Sequence, residues 1–261
     1  PKNRIAKWSD PENEVCIACG PLGGTPVYPG SGKSIAVSIS PLTECVVDSN
    51  VGGYFGPYLK FSGWDALEIQ GKAKTEVVII IDGDQGKVQI EEASSLPSET
   101  YQITDMLANT YAPEGGQCIS VVSSGPGAEN TLFGCLNVSW YDAGRRIHRF
   151  KQAGRGGIGT VLRDKKVKAL VVKYSGRISL DTNGPVDGEL VKQAGTAHSR
   201  EIRELDAKQN EMSIVGTTHL ITIMNDFDLL PVNNFRFGSH KEAAELGKEV
   251  YRKKFDKGFD G

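Results

Sequence analysis

No apolar run in this sequence approaches the roughly 20 residues needed to cross a bilayer, so no membrane-spanning helix is expected. Charge of one sign is missing too. The 30 lysines and arginines face 32 aspartates and glutamates, for a formal net charge of −2. That balance gives no reason to expect nucleic acid or an acidic membrane surface as a partner. Cysteine is sparse and odd in number, with five residues at positions 16, 19, 45, 118 and 135. Scattered through a chain this long, they argue against a disulfide framework and for a reducing, cytoplasmic compartment. No signal-peptide pattern precedes the first strand, although the chain opens at Pro1 without an initiator methionine, which leaves a removed segment open. Repeats and low-complexity tracts are absent as well.

What the sequence does have is enough apolar material, 39% of 261 residues, to bury one large domain or one domain and part of another. Ser34 to Ser40 alternates serine with Ile35, Val37 and Ile39, the period of a half-buried strand. Val15 to Cys19, Ala66 to Gln70, Cys118 to Ser123 and Lys168 to Lys173 are further short strands. Glu76 to Asp82 and Lys87 to Glu91 flank Gly83-Asp84-Gln85-Gly86, a hairpin signal. Pro97 to Ala108 is predicted helical, with Ser95 near its start. Beyond Asp181 the spacing turns helical, over Pro185 to Lys208, Gly216 to Asn225 and Lys241 to Lys254. The expectation is an α+β chain, with a β-rich amino-terminal domain over 1–175 and the start of a helical region over 176–261.

Glycine, at 31 residues, gathers in short runs between the strands. Two of these runs imitate nucleotide motifs. Gly30-Ser-Gly-Lys-Ser34 ends like a P-loop, but Val27 stands where its first glycine belongs, and a strand follows where a helix is required. Gly154-Arg-Gly-Gly-Ile-Gly159 fits G-x-G-x-x-G, a motif that needs a strand before it and a helix after it. Arg145 to Lys151 is too charged for a buried parallel strand, and Thr160-Val-Leu runs directly into the polar Arg163 to Lys166. Neither motif is therefore taken as a nucleotide site.

Other runs carry more information as a set. They are Gly20-Pro-Leu-Gly-Gly-Thr25, Ser40-Pro-Leu-Thr43, Ser49-Asn-Val-Gly-Gly-Tyr-Phe-Gly56, Leu59-Lys-Phe-Ser-Gly-Trp-Asp65 and Gly71-Lys-Ala73. Gly125-Pro-Gly-Ala-Glu-Asn130, Ala153-Gly-Arg-Gly-Gly-Ile-Gly159 and Leu230-Pro-Val-Asn-Asn-Phe235 follow. In order and spacing this series resembles the tungsten-containing aldehyde:ferredoxin oxidoreductase family, most strongly between Gly20 and Ala73. The resemblance implies a base of two sheets for a tungsten (or molybdenum) ion held by two pterin dithiolenes. It also implies a magnesium ion joining the pterin phosphates through the backbone carbonyls of Asn50 and Gln152. Lys33, Asn50, Val51, Gly52, Lys151, Gln152, Gly154 and Arg155 then become the cofactor-contacting positions.

The chemistry of these residues agrees. Phosphates are dense anions that need unhindered backbone groups or cations close by. Gly52-Gly53 and Gly154-Arg-Gly-Gly157 carry no side chain to block that approach, and Lys33, Lys151 and Arg155 add positive charge. There are departures from the family. It commonly has arginine at the position of Lys33, and His-Arg at Phe150-Lys151. Lysine keeps the charge but loses bidentate recognition, and Arg145 and Arg146 upstream offer compensation. The family's Gly-Pro-Ala-Gly-Glu-Asn is also permuted here.

By the same resemblance, a Cys-x-x-Cys-x-x-x-Cys run for a 4Fe-4S cluster is expected beyond Phe255, and further residues ahead of Pro1. The chain thus reads as a piece of a larger enzyme. The implied activity is oxidation of a small aldehyde, with electrons passing to ferredoxin or an iron–sulfur partner subunit. A homo-oligomer is compatible with this. Relatives that use the cofactor on aromatic thioesters, and a non-catalytic scaffold, remain alternatives. Cys16 and Cys19 lie three residues apart, which in a strand puts their sulfurs on opposite faces, and they read as buried and inert. His219 reads as a helix histidine satisfied by its surroundings, and no catalytic residue is assigned.

Overall fold

The computed structural model describes residues 6–112, 118–205 and 211–255. Two compact units make up the chain, Pro1–Thr196 and Ala197–Gly261.

The first unit is built on two sheets. Strands β1 (Val15–Cys19), β2 (Ser34–Ile39), β3 (Val46–Val51) and β4 (Ala66–Ile69) form the smaller, in the order β3-β2-β1-β4. The larger holds β5 (Val77–Asp82), β6 (Lys87–Glu92), β7 (Ile119–Ser123), β8 (Leu136–Asp142), β9 (Ile147–Ala153) and β10 (Val167–Lys173). Its order is β6-β5-β10-β7-β8-β9, antiparallel except for the β5–β10 pair. β7 is buried along its whole length and β10 almost so, which is why both read as near-continuous apolar runs. The expected hairpin of β5 and β6 is present, with Asp82 opposite Lys87.

Helices α1 (Phe55–Phe61) and α3 (Ile158–Asp164) fill the space between the sheets. Phe55, Tyr58 and Leu59 of α1 and Ile158, Val161 and Leu162 of α3 join Val15, Ile17, Ala36, Leu136, Leu170 and Val172 in one core. Burying a side chain such as Phe55 or Leu59 is worth about 1.5–3 kcal/mol. On the far face of the larger sheet, α2 (Thr100–Tyr111) sets Ile103, Leu107 and Ala108 against Val78, Ile80, Val121 and Val171. It begins three residues later than Pro97, and Glu99 rather than Ser95 occupies its N-cap position.

One expectation is corrected. Gly154–Gly159 does lie between a strand, β9, and a helix, α3. β9 tolerates its charges because it is an edge strand whose Arg149 and Lys151 stay exposed. α3 has only seven residues, too few for helical spacing to show. The arrangement is still not a dinucleotide fold, because β9 pairs antiparallel with β8 and does not neighbour β10. Following Lys33, the chain enters β2 rather than a helix.

Helix α4 (Gly188–Glu204) starts in the first unit and ends in the second. Within the second unit lie α5 (Glu211–Val215), α6 (Leu220–Asp226) and α7 (Lys248–Phe255), with short 3-10 turns at Gly216–His219 and Ala243–Leu246. Among the described residues no helix is long and apolar enough to cross a membrane.

Candidate functional site

β3 ends one side of the smaller sheet and β9 one side of the larger, so each has a free edge, and these two edges approach each other. The Arg155 backbone N–H donates to Ser49 Oγ at 3.2 Å, joining residues 106 apart in sequence. Gly52 faces Lys151, whose Cγ would lie 3.3 Å from a Cβ built on the glycine. The two glycine-bearing stretches that the sequence singled out therefore form the walls of one seam.

Glycines in this seam divide into two kinds. Gly53, at φ +95°, would push a Cβ to 2.7 Å from Val138 Cγ1. Gly156, at φ +73°, would push one to 2.3 Å from Val47 Cγ2. These two are dictated by packing and by left-handed backbone. Gly154 is different, since a Cβ there would meet nothing within 4 Å. It leaves main chain open to a ligand.

The eight sequence-predicted residues gather at this end of the unit. Lys33 immediately precedes the Ser34–Val51 pair, which places it level with Gly52. Val51 is only 3% exposed, so its side chain belongs to the core and its backbone alone borders the seam. Gln152 is exposed, and its side-chain amide donates to Asn137 Oδ1 at 3.1 Å. Lys33, Lys151 and Arg155 have no carboxylate partner among the described residues. Cations left unpaired beside bare main chain are available to an anion.

Asn50 also faces a cavity of about 480 Å³, lined by Ala18, Tyr28, Lys33 and Ile35 among others. Its floor is one cross-strand row, Ala18 opposite Ile35 and Ile35 opposite Asn50. That volume falls within the roughly 300–1,000 Å³ of small-molecule sites. This row is not legible in the sequence, because the pairing of β3 with β2 is not visible in either segment alone. Ser49 escaped notice for a similar reason, its partner being distant in the chain.

Other residues fall elsewhere. Arg145 and Arg146 lie at the β8–β9 turn. Arg145 is committed to Asp142 at 3.0 Å and Arg149 to the same carboxylate at 3.4 Å, so the compensation expected of Arg145 is already spent. Burial opposes ionisation of Asp142, but hydrogen bonds from Arg145 and Arg149 outweigh it and hold the carboxyl below its usual range. Cys16 is half-buried and Cys19 buried, on opposite faces of β1. Ligand atoms of Glu14, Cys16 and Glu68 lie within 4.8 Å of one another, a cluster the sequence reading missed because Glu68 arrives from β4. Burial, then the charges of Glu68 and Glu14, push the Cys16 thiol up and keep it protonated. His219 closes on its own turn, with Nδ1 3.3 Å from the Gly216 carbonyl oxygen.

Two sheet edges meet here, with open main chain at Gly154 and the cations Lys33, Lys151 and Arg155 beside them, and the cavity lies on the Lys33 and Asn50 side. Comparison with known proteins gives the family. The model for the aldehyde ferredoxin oxidoreductase N-terminal domain matches residues 3–174, and that for domains 2 and 3 matches residues 193–261. The chain belongs to the aldehyde ferredoxin oxidoreductase family, whose members are oxidoreductases.

It is 32% identical over 245 residues to the tungsten-containing aldehyde ferredoxin oxidoreductase of Pyrococcus horikoshii, covering 94% of this chain and 37% of that protein. The aliphatic sulfonate oxidoreductase WOR-like subunit of Pyrococcus furiosus is 33% identical over 187 residues, 65% of this chain and 28% of its own. Among solved structures, the active-site complex BamBC of benzoyl coenzyme A reductase with 1,5-dienoyl-CoA shares the fold. Its TM-score is 0.63 at 23% identity, over 97% of this chain and 37% of that one. The chain spans little more than a third of the length of the relatives it matches.

Proposed function

We propose that residues 1–175 are the cofactor base of a tungstopterin oxidoreductase and that residues 176–261 begin its helical part. The reading rests on one observation, the meeting of the β3 and β9 edges through Ser49 and Arg155. Asn50 and Gln152 would offer backbone carbonyls to magnesium, a hard cation that prefers oxygen. Lys33, Lys151 and Arg155 would bind the pterin phosphates, and Gly52 and Gly154 would let them approach. When bound, the metal and its dithiolenes supply the two-electron redox chemistry, while the protein supplies position and electrostatics. The complete enzyme would oxidise a small aldehyde to a carboxylic acid in the cytoplasm. Its electrons would leave through a 4Fe-4S cluster to ferredoxin or an iron–sulfur partner subunit.

The test is metal and pterin analysis of the full-length protein from tungstate-supplied cells, followed by aldehyde-dependent viologen reduction. About one tungsten and two pterins per chain, with activity, is the expected result. Full metal content without aldehyde oxidation would move the substrate to another class, such as an aromatic thioester. A well-folded protein free of tungsten and molybdenum would make it a scaffold.

A further inference from the structure

Ser49 sits on β3 with 1% of its surface exposed, immediately before Asn50. Its side chain points inward while that of Asn50 points out. Ser49 Oγ accepts the Arg155 N–H at 3.2 Å. Among the described residues no other hydrogen bond joins β3 and the turn after it to β9 and the loop after it. Elsewhere in the seam the fit is by shape: a Cβ on Gly52 would touch the Lys151 stem, and one on Gly156 would clash with Val47.

A peptide unit is planar and trans, so the N–H of one residue and the carbonyl of the residue before it point in opposite directions. Holding the Arg155 N–H on Ser49 therefore turns the Gly154 carbonyl away from β3. Glycine would otherwise sample many orientations at this point. With nothing within 4 Å of where its Cβ would be, no packing restrains it either. Among the described residues, the Ser49 hydroxyl is the hydrogen-bond acceptor that orients this peptide between the paired Ala153 and the packed Gly156.

We infer that Ser49 is a positioning residue, which locks the Gly154–Arg155 peptide plane and so presets the wall that meets the cofactor. This rests on the function proposed above for the same seam. Its effect is to spare the ligand the ordering of a glycine peptide on binding, which tightens retention without adding a contact. Removing the hydroxyl should leave the sheets intact, since the strand pairing of β3 with β2 does not use it.

The experiment compares full-length wild type, Ser49→Ala, Ser49→Thr and Ser38→Ala, all from tungstate-supplied cells. Ser38 is an equally interior serine of the neighbouring strand, 4% exposed, with its hydroxyl bonded to the Glu14 carbonyl at 2.7 Å. Two quantities are read, amide exchange of the segment containing Arg155 and tungsten retained per chain after gel filtration. Ser49→Ala should speed exchange about three- to tenfold, the worth of one hydrogen bond, and lower retained tungsten by a similar factor. Ser49→Thr, which keeps the hydroxyl, should restore both. Ser38→Ala should lower the urea midpoint and change neither.

Unchanged exchange at Arg155 in Ser49→Ala overturns the lock. Faster exchange with full tungsten retention overturns its role toward the cofactor. A wild-type protein lacking pterin sinks the function proposed for the seam, and the exchange arm then decides the lock alone.

Discussion

Lys151 lies across Gly52, close enough that its Cγ would stand 3.3 Å from a methyl group placed on the glycine. The neighbour is the flexible stem of an exposed lysine, which can shift by a few tenths of an ångström. Gly52→Ala should therefore fold normally, with a stability change of about 0.5 kcal/mol or less. What it displaces is the ammonium group at the seam. Retained tungsten should fall while the urea midpoint stays put, and an unchanged metal content would remove Lys151 from the cradle.

Gly156→Ala should behave in the opposite way. Its φ of +73° disfavours any side chain, and its Cβ would come within 2.3 Å of Val47 Cγ2. Left-handed backbone costs a non-glycine residue roughly 1–2 kcal/mol, and forcing a methyl into a packed site adds about 1–3. Urea unfolding should show a loss of about 2–5 kcal/mol. A loss under 1 kcal/mol would mean that the seam is looser than its contacts indicate.

Neutralising Lys33, Lys151 or Arg155 to glutamine separates binding from folding. None has a carboxylate partner among the described residues, so no ion pair is broken and thermal midpoints should not move. Charge-assisted contacts to phosphate are worth about 1.5–3 kcal/mol each, so cofactor retention should weaken roughly tenfold or more per substitution. Release in rising salt should also become less steep, because fewer charges remain to be screened. Equal salt dependence in wild type and all three variants would show that these cations face solvent only.

A different cluster sets acid stability. Arg163 bridges Glu76, at 2.8 Å, and Glu129, while Lys168 reaches Glu76 at 3.0 Å, and both cationic side chains are buried. Burial pushes the Glu76 carboxyl up, but the Lys168 hydrogen bond and the Arg163 charge outweigh it and depress the pKa. A depressed carboxyl stabilises fully above about pH 4.3, the unfolded value, and loses that contribution as pH falls through its folded value. Glu76→Gln should cost about 1–2 kcal/mol at neutral pH, discounted because Glu76 is partly exposed and both cations keep another partner. The gap to wild type should narrow as pH falls below about 4.3 and close below the depressed folded value, as followed by urea midpoints against pH. A gap that persists there would assign the effect to packing.

The β-rich half was legible from period-two alternation, as in β2, although the face that β2 buries fully is Ser34, Ala36 and Ser38, with Ile35 and Val37 half-buried on the other. Edge strands were harder. β3 carries Asp48 and Asn50 outward and β9 carries Arg149 and Lys151, so neither shows the apolar signal of a central strand. α1 and α3 were lost because seven residues buried almost all round have no polar face to set a period. At the site, glycine runs and nearby cations could be read from the chain. The distance between residues 49 and 155 could not, because it is fixed by the stacking of two sheets around α1 and α3.

Free strand edges carry a hazard beyond their use to a ligand, since unsatisfied amides and carbonyls invite a strand from another molecule to add on. β3 and β9 share this exposure, and β9 sets along its edge the exposed Lys151, which has no carboxylate partner among the described residues. A positive border of that kind disfavours pairing with a second copy of itself, whether or not a ligand is bound.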